Sequence, residues 1–386
     1  MPERRLLTVD PADWRGVHAA LRARLDGAGA AVFPVNAADA PVEVGDDIAL
    51  VIETSGSTGA PKRVALSERA LRASAQATDA ALGGAGQWLL CLSPAFVAGS
   101  QLLVRSVLCG TEPIAGPLHG FDAPGFAEAS AAMTHARRYT ALVPAQLARL
   151  VEAGESDAAV RTATARFDAV LIGGQALPAS VAARALDLGY RIVRTYGSSE
   201  TATGCVYDGY PIGQTRLRIS DGVLEISGPM LADSYLGDPD ATAAAFRIDD
   251  GVRWYRTGDL AELRPDGRLR VLGRADDVII SGGVKVALGR VEALVRELPG
   301  LTDAVVVGAP SARWGEVPVV VVAGEPAASL PLEDVRTRVG AGLGAAARPA
   351  CIVTMPELPL LATGKPDRRS LAAQLAPDAP EYPDAP

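Results

Sequence analysis

The sequence has few of the residues from which metal centres and disulfide frameworks are built. Its 386 residues include only 3 histidines and 4 cysteines. The cysteines, Cys91, Cys109, Cys205 and Cys351, are scattered without a CxxC pair. Structural zinc sites need clustered ligands, and small secreted folds need paired cysteines. We therefore expect free thiols, and neither a zinc site nor a disulfide scaffold.

Long apolar runs and an excess of positive charge are also missing. No run of about 18 apolar residues, the length that marks a membrane helix, occurs in the chain. The first residues likewise lack the apolar core of a signal peptide, so we expect a cytoplasmic protein without membrane insertion. The formal net charge of −8 argues against a basic surface for nucleic acid. An anionic ligand must therefore be bound in a local pocket.

Apolar side chains are abundant, at 48% of residues, which suffices for a large core and more than one domain. Short apolar segments that alternate with helical stretches predict strands at 49–54, 88–92, 140–143, 169–172 and 191–196. The intervening helices are predicted at 67–82, capped by Ser67, and at 144–153 and 178–188. This alternation is typical of an α/β fold with mainly parallel sheets covered by helices.

The pattern changes after residue 213. Short alternating strands with Asp-Gly turns predict a β-rich subdomain without helices at about 210–273. Beyond it, helices at 289–297 and from Leu332, with strands at 304–308 and 317–323, predict a small α+β unit. We therefore predict an N-terminal domain at 1–275, a small mobile domain at 276–375 and a disordered tail at 376–386.

A loop rich in glycine and hydroxyl side chains directly follows the strand at 49–54. It reads Thr54-Ser55-Gly56-Ser57-Thr58-Gly59-Ala60-Pro61-Lys62. Small residues leave backbone N–H groups accessible, the glycines allow close approach, and the lysine adds a cation, so the loop suits a polyphosphate. It is not a Walker A loop, because Ala60-Pro61 follow the second glycine. From these residues alone, an ordinary flexible turn stays open as the alternative.

The loop resembles the phosphate-binding signature of the adenylate-forming superfamily of acyl-CoA synthetases, luciferases and peptide-synthetase adenylation domains. Other segments resemble further motifs of that superfamily, in the same order: residues 172–177, 195–201, 256–260, 273–286 and 358–368. The resemblance spans roughly residues 46–370. It implies an enzyme that uses Mg²⁺ and ATP to activate a carboxylic acid as an acyl-adenylate, and then transfers the acyl group to a thiol such as coenzyme A.

The resemblance also implies which residues bind the nucleotide. The expected ATP contacts are Thr54, Ser55, Gly56, Ser57, Thr58, Gly59, Lys62, Gly173, Gly174, Gln175, Tyr196, Gly197, Ser198, Ser199, Asp259, Arg274 and Lys365. Within this set, Tyr196 is expected to stack on adenine and Asp259 to bind the ribose. Glu200 is expected to be the Mg²⁺ ligand, since Mg²⁺ prefers oxygen donors. A core tyrosine, a structural ion pair between Arg274 and Asp259, and a solvated Glu200 are the alternatives.

Catalysis is assigned by the same resemblance to Lys365, Glu200 and Thr58. Lys365 is expected to stabilise the charge that develops between the carboxylate and the α-phosphate. Asp276 is the expected hinge about which the small domain rotates. After that rotation, Ser281, Gly282 and Gly283 are expected to line the path of the thiol, so that coenzyme A acts as a co-substrate.

A narrower resemblance concerns the acid. Only 53 residues precede Thr54, and this compact N-terminus, with the segment 92–106, is similar to short actinobacterial-type o-succinylbenzoate–CoA ligases of menaquinone synthesis. That substrate carries a second carboxylate, which Arg105 is placed to neutralise; a snorkelling Arg105 at a helix surface is the alternative. The other expected pocket residues are Phe96, at a position where many relatives have histidine, and Ser100, Ala202, Thr203 and Gly204.

The sequence therefore predicts an AMP-forming o-succinylbenzoate–CoA ligase that binds a small carboxylic acid, ATP, Mg²⁺ and coenzyme A. A homodimer is compatible with it. Two other functions stay open. One is an adenylate-forming ligase for another aryl or acyl acid, delivering to coenzyme A or to a carrier-protein thiol. The other is a non-catalytic nucleotide-binding relative, which the presence of Glu200, Asp259 and Lys365 disfavours.

Overall fold

The computed structural model describes residues 3–36, 43–54, 61–118, 120–324, 332–360 and 366–375. Its strands, in chain order, are β1 (Glu3–Val9), β2 (Ala31–Pro34), β3 (Glu43–Gly45), β4 (Ile48–Thr54), β5 (Lys62–Ser67), β6 (Gln87–Leu90), β7 (Ile114–Ala115), β8 (Arg138–Leu142), β9 (Ala169–Ile172), β10 (Ile192–Ser198), β11 (Thr203–Tyr207), β12 (Tyr210–Pro211), β13 (Arg216–Ser220), β14 (Val223–Ser227), β15 (Ser234–Tyr235), β16 (Phe246–Asp249), β17 (Val252–Leu263), β18 (Leu269–Arg274), β19 (Val278–Ser281), β20 (Val284–Ala287), β21 (Val305–Ser311), β22 (Gly315–Ala323) and β23 (Cys351–Met355).

The α-helices of the same residues are α1 (Trp14–Leu25), α2 (Glu68–Ala81), α3 (Val97–Cys109), α4 (Ala123–Ala131), α5 (Pro144–Ser156), α6 (Ala158–Ala165), α7 (Ala179–Asp187), α8 (Pro239–Ala245), α9 (Leu288–Val295), α10 (Leu332–Leu343) and α11 (Arg368–Leu375). The predicted cap of α2 is confirmed, because the Ser67 side chain accepts a hydrogen bond from the Ala70 N–H. Other predicted boundaries are shifted by a few residues, as is common at element ends. No helix within the described ranges is long and apolar enough to cross a membrane.

Two sheets form the larger part of the fold and confirm the α/β class. The first has the strand order β15-β5-β4-β2-β1-β3, and the second has the order β12-β11-β10-β9-β8-β6-β7. In the second sheet β7, β6, β8, β9 and β10 are all parallel. In the first sheet, β1, β2 and β4 are parallel while β3, β5 and β15 pair antiparallel. The parallel strands β9 and β10 therefore end at the same edge of their sheet, where ligands of open α/β sheets bind.

The third sheet is antiparallel and follows the predicted β-rich region. Its order is β13-β14-β17-β16, with β18 paired to β17. The prediction that this region lacks helices is wrong, because α8 lies between β15 and β16. Asp238 caps α8 by accepting from the Ala241 N–H, and Pro239 stands at its first position. These are ordinary signals of a helix start, and they precede an alanine-rich run.

The fourth sheet contains the strands that follow Asp277. Its order is β20-β19-β22-β21, and β23 pairs parallel with β22. Three clusters of buried side chains around this sheet start at Ile279 and extend to Leu375. The other three clusters contain buried side chains only up to Ala261. The division into domains at residues 275 and 276 stays a prediction.

Candidate active site

Several of the predicted site residues lie outside the described residues, namely Ser55, Gly56, Ser57, Thr58, Gly59 and Lys365. The residues that flank them are defined. Thr54 pairs with Lys62 across the β4–β5 ladder, and the Thr54 hydroxyl donates to the Lys62 carbonyl at 3.3 Å. Leu360 and Pro366 form an isolated antiparallel bridge. Both predicted loops therefore begin and end at points that are close together. The predicted tail, 376–386, is likewise outside the described residues.

Glu200 is held in a buried position at the carboxyl end of β10. It lies in a short 3₁₀ turn, Ser199–Thr201, and is 9% exposed. The Tyr235 hydroxyl donates to Glu200 Oε1 at 2.8 Å. The Lys62 Nζ lies 4.7 Å from the centroid of the same tyrosine ring. The alternative of a solvated Glu200 is therefore wrong, and Tyr235 contacts two residues that were predicted to bind the phosphates and the metal.

The residues after Glu200 form a strained corner. Ala202 and Thr203 have φ values of +50° and +97°, which side-chain-bearing residues rarely adopt. Two buried side chains fix this corner: Ser74 Oγ and Gln101 Nε2 each donate to the Ala202 carbonyl at 2.9 Å. Backbone in such a conformation persists only where its surroundings enforce it, and it often lines a ligand site. The corner therefore has a fixed shape beside the predicted metal ligand.

The close packing around this corner also explains why the motif at 195–201 has glycine at position 197. A Cβ at Gly197 would lie 2.0 Å from the Thr203 carbonyl oxygen, since β10 and β11 are bulged at this point. A side chain at Gly197 is therefore excluded. The Ser198 N–H donates to Thr201 Oγ1 at 2.9 Å, while Ser199 is buried in the turn. These residues fix the course of the chain around Glu200.

Arg105 is buried rather than exposed. It is 2% exposed on α3, which packs against α1, α2 and β6, so the snorkelling alternative is wrong. Its Nη2 donates to Thr203 Oγ1 at 3.3 Å, and its guanidinium lies 5.0 Å from the Trp88 ring centroid. The Arg105 Nε is buried without a hydrogen-bond partner. The buried guanidinium thus contacts the strained corner with part of its hydrogen-bonding capacity unused.

No acidic side chain of the described ranges forms an ion pair with Arg105 within 4.0 Å. Burial raises the pKa of the Asp79 carboxyl, and the hydrogen bond with Cys109 and then the charge of Arg105 offset this rise only in part. A buried cation that has no carboxylate within ion-pair distance is unfavourable unless a ligand neutralises it. This arrangement favours an anionic group of the substrate beside Arg105.

The other predicted pocket residues differ in accessibility. Phe96 is half-buried at the N-terminal cap of α3, and Ser100 is fully buried. The Ser100 hydroxyl donates to the Pro94 carbonyl at 2.6 Å, so its proton is already engaged. Gly204 is confined by Thr195 and Tyr207, whose atoms would lie 3.1 Å from a Cβ at this position. Their contacts with the acid stay predictions.

The predicted adenine-side residues follow β9. A Cβ at Gly173 would lie 2.5 Å from Thr195 Oγ1, and Gly174 has a φ of +83°. Gly174 and Gln175 are exposed. The backbone at Gly173 therefore lies close against β10, and the exposed pair beyond it is accessible to a ligand at the sheet edge.

Tyr196, Asp259, Arg274 and Asp276 form one polar network. The Tyr196 hydroxyl donates to Asp259 Oδ2 at 2.5 Å, and Arg274 Nη1 donates to Asp259 Oδ1 at 3.4 Å. Arg274 also binds both carboxylate oxygens of Asp276, at 2.9 and 3.1 Å. Burial raises the pKa of Asp259, whereas the hydrogen bonds from Arg274 lower the pKa of Asp276.

This network relates the predicted ribose site to the predicted hinge. The ion pair proposed as the structural alternative exists, and it is compatible with ribose binding because each carboxylate oxygen can accept more than one hydrogen bond. Asp259 and Arg274 are opposite each other in the β17–β18 ladder. The cation beside Asp259 thus also holds Asp276. In a rotation about Asp276, the hydrogen bonds between Arg274 and Asp276 would either break or move together with the rotating residues.

The predicted thiol-side residues lie in the turn between β19 and β20. Gly282 and Gly283 have φ values of +55° and +81°, and both are exposed. A Cβ at Gly282 would lie 2.7 Å from the Trp314 ring, so this glycine is required for the close approach. Ser281 is fully buried, and its hydroxyl lacks a hydrogen-bond partner. The backbone of the two glycines is therefore accessible to solvent, whereas the Ser281 side chain is not.

The side chains around Glu200 suit a magnesium ion that is bound mainly by phosphate oxygens. The described residues contain no group of three or more His, Cys, Asp or Glu side chains that could hold a metal. Mg²⁺ in nucleotide sites typically uses only one or two carboxylates together with phosphates and water. Glu200 supplies one such carboxylate, and Tyr235 occupies only its Oε1. The residues therefore suit a metal that arrives with the nucleotide.

Sequence reasoning did not find Ser74, Gln101 and Tyr235. Ser74 and Gln101 are far from Ala202 in the chain, and buried serine and glutamine residues on α2 and α3 carry no recognisable motif. Tyr235 lies in a strand of only two residues, β15, and follows Glu200 by 35 residues. Only the pairing of β15 with β5 brings its ring to Lys62.

The match to known families agrees with this site. A family model described as AMP-binding enzyme matches residues 7–229, and another described as AMP-binding enzyme C-terminal domain matches residues 290–365. The chain therefore belongs to the AMP-binding enzyme family.

Its relatives include acid–CoA ligases. The probable 2-succinylbenzoate–CoA ligase of Mycobacterium tuberculosis is 40% identical over 344 residues, which cover 87% of each protein. A structure of o-succinylbenzoate CoA synthetase (MenE) from Bacillus subtilis with the acyl-adenylate intermediate OSB-AMP aligns with a TM-score of 0.73 at 25% identity, covering 86% of this chain and 70% of the other. The same enzyme with ATP and magnesium ion aligns with a TM-score of 0.72 at 25% identity, covering 86% and 72%.

Proposed function

We propose that this chain is an AMP-forming 2-succinylbenzoate–CoA ligase of menaquinone biosynthesis. It would activate o-succinylbenzoate as its acyl-adenylate with ATP and Mg²⁺, and transfer the acyl group to coenzyme A. Two kinds of relative support this: the M. tuberculosis ligase, by sequence, and the B. subtilis enzyme that binds OSB-AMP, by structure. Since all three substrates are intracellular metabolites, we also propose a cytoplasmic location.

The observation that carries the choice of acid is the buried Arg105. It lies beside Thr203, on the strained corner that follows Glu200. An acid with a second carboxylate would neutralise the guanidinium while its first carboxylate meets the nucleotide near Glu200. A monocarboxylic acid would leave the buried cation without a carboxylate at ion-pair distance, which is unfavourable. The residues therefore favour a dicarboxylate over a simple aryl or acyl acid.

In the first half-reaction, a carboxylate oxygen of the acid attacks the α-phosphorus of ATP and pyrophosphate leaves. We assign the triphosphate to the loop between Thr54 and Lys62, and the ribose to Asp259 with Arg274. Magnesium held by Glu200 and phosphate oxygens would neutralise phosphate charge. Lys365, assigned by the motif at 358–368, would stabilise the negative charge that develops between the two reactants.

In the second half-reaction, the thiol of coenzyme A attacks the acyl carbonyl carbon and AMP leaves. We propose that the domain at 276–375 rotates about Asp276 between the two reactions, which removes Lys365 and brings Gly282 and Gly283 to the thiol. Glycine at these exposed positions leaves the backbone accessible to the narrow pantetheine arm.

The alternative within the family is another acid, or a carrier-protein thiol in place of coenzyme A. A panel of acids separates these functions. Pyrophosphate release would be measured for o-succinylbenzoate, benzoate, 4-oxo-4-phenylbutanoate and a fatty acid, each with and without coenzyme A. We expect sustained turnover only with o-succinylbenzoate and coenzyme A together. Equal turnover with a monocarboxylic acid, or none with o-succinylbenzoate, would contradict the proposed substrate.

A further inference from the structure

Tyr235 connects the two parts of the site that hold the phosphates and the metal. It lies on β15, which pairs antiparallel with β5, and Tyr235 is opposite Val64. Its hydroxyl donates to Glu200 Oε1 at 2.8 Å, while the Lys62 Nζ lies 4.7 Å from its ring centroid. A single buried side chain thus contacts the cation at one end of the predicted phosphate loop and the predicted metal carboxylate.

The position of the Tyr235 ring is fixed by its surroundings. The residue is 5% exposed, and its ring packs 5.8 Å from that of Phe246, which in turn stacks on Tyr255 at 5.2 Å. The phenol hydroxyl is a hydrogen-bond donor to Glu200 in this position. A cation near an aromatic face is attracted to it, more strongly where water is excluded.

We propose that Tyr235 is a positioning residue of the adenylation reaction, which fixes Glu200 and Lys62 relative to each other so that Mg²⁺ and the phosphates bind as one unit. This inference rests on the proposed roles of Glu200 and Lys62. The hydroxyl directs one carboxylate oxygen away from solvent and leaves Oε2 for the metal. The ring limits where the Lys62 ammonium lies at the end of the phosphate loop.

A purely structural Tyr235 would need only its ring. Phenylalanine would pack equally well between Phe246 and Lys62, but it would leave the buried Glu200 carboxylate without its donor. Such a carboxylate is free to turn away from the metal position. The effects of the two groups are therefore separable. The hydroxyl should affect how ATP binding depends on Mg²⁺, and the ring should affect the contact with Lys62.

The test compares Tyr235→Phe with the wild-type protein in magnesium titrations of ATP binding and of acyl-adenylate formation. Because a hydrogen bond to a charged group is among the stronger ones, we expect the half-saturating Mg²⁺ concentration to rise about tenfold. The KM for o-succinylbenzoate and the rate of thioester formation from preformed acyl-adenylate should stay unchanged. Tyr190→Phe is the matched control, since that buried hydroxyl donates to the Leu150 carbonyl and its ring packs in a different cluster of buried side chains from Tyr235.

A second variant, Tyr235→Leu, also removes the ring from Lys62. We expect it to weaken ATP binding further even at saturating Mg²⁺, by about threefold to fivefold relative to Tyr235→Phe. An unchanged Mg²⁺ dependence in Tyr235→Phe would overturn the proposal. So would a lowered Tm accompanied by equal impairment of ATP binding, the KM for o-succinylbenzoate and the rate of thioester formation. ATP binding needs no acid, so a wild-type protein inactive on o-succinylbenzoate would refute the proposed function while the binding titrations still test Tyr235.

Discussion

Replacing Lys365 with alanine is expected to reduce acyl-adenylate formation by about two to three orders of magnitude, the usual effect of removing a preorganised electrostatic group. The reason is that no other cation is assigned to the point where the acid meets the α-phosphate. Thioester formation from preformed acyl-adenylate should continue, because that half-reaction does not use Lys365. The measurement is single-turnover kinetics of each half-reaction, started from separate substrates.

Residues on both sides of the segment 361–365 are held by defined contacts. The Asp367 N–H donates to the Pro359 carbonyl at 2.8 Å. Arg368 donates to the Val306 carbonyl at 2.6 Å and to Glu292, a carboxylate that is 7% exposed. Lys365→Ala keeps these contacts of the flanking residues, so we expect the variant to fold, which its Tm checks.

Lys365→Arg provides the control for charge. Arginine keeps the positive charge but spreads it over a larger planar group, so we expect partial adenylation activity that exceeds that of the alanine variant. The two-conformation account of the reaction would be contradicted by an equal loss of both half-reactions in Lys365→Ala.

Replacing Arg105 with methionine is expected to raise the KM for o-succinylbenzoate about 100-fold, since removing one member of a buried charge pair typically has an effect of this order. Methionine fills most of the space beside Trp88 but removes the contacts of the guanidinium with Thr203 and the Trp88 ring, so the thermal stability of the variant is measured together with the KM. The KM for ATP should change little, because Arg105 contacts Thr203 and not the predicted nucleotide residues.

A matched pair of acids identifies the cause of this loss. The compound 4-oxo-4-phenylbutanoate is o-succinylbenzoate without its ring carboxylate. We expect Arg105→Met to use it as well as, or better than, the wild-type protein does. Equal impairment on both acids would mean that Arg105 shapes the pocket without binding the second carboxylate. Arg105→Lys should retain an intermediate preference for the dicarboxylate.

Local sequence features predicted much of the fold because they act over short distances. The apolar run of β4, the Ser67 cap of α2 and the Asp-Gly turns of the third sheet each determine a few neighbouring residues. The helix α8 was missed although Asp238 and Pro239 signal its start, because the strand pattern on both sides dominated the interpretation. The order of the strands in each sheet depends on tertiary packing, which no local pattern determines.

Most of the site residues that the sequence predicted lie within recognisable motifs. The motifs assign Glu200, Asp259 and Arg274, and the ladder between β17 and β18 brings the last two together. The sequence left Arg105 undecided between a buried and a surface position, because its neighbours in the stretch 102–108 are mostly apolar and an arginine stem packs on apolar surface in either position. Ser74, Gln101 and Tyr235 act across long chain separations, and such contacts depend on packing that single-sequence patterns do not contain.

One measurement tests directly whether the nucleotide and the acid meet at the strained corner. It is a crystal structure of the protein with Mg²⁺, a non-hydrolysable ATP analogue and o-succinylbenzoate. We expect the triphosphate at the loop between Thr54 and Lys62, the metal on Glu200, and the second carboxylate within hydrogen-bonding distance of Arg105. A triphosphate bound away from that loop, or a substrate carboxylate remote from Arg105, would contradict the proposed reaction site.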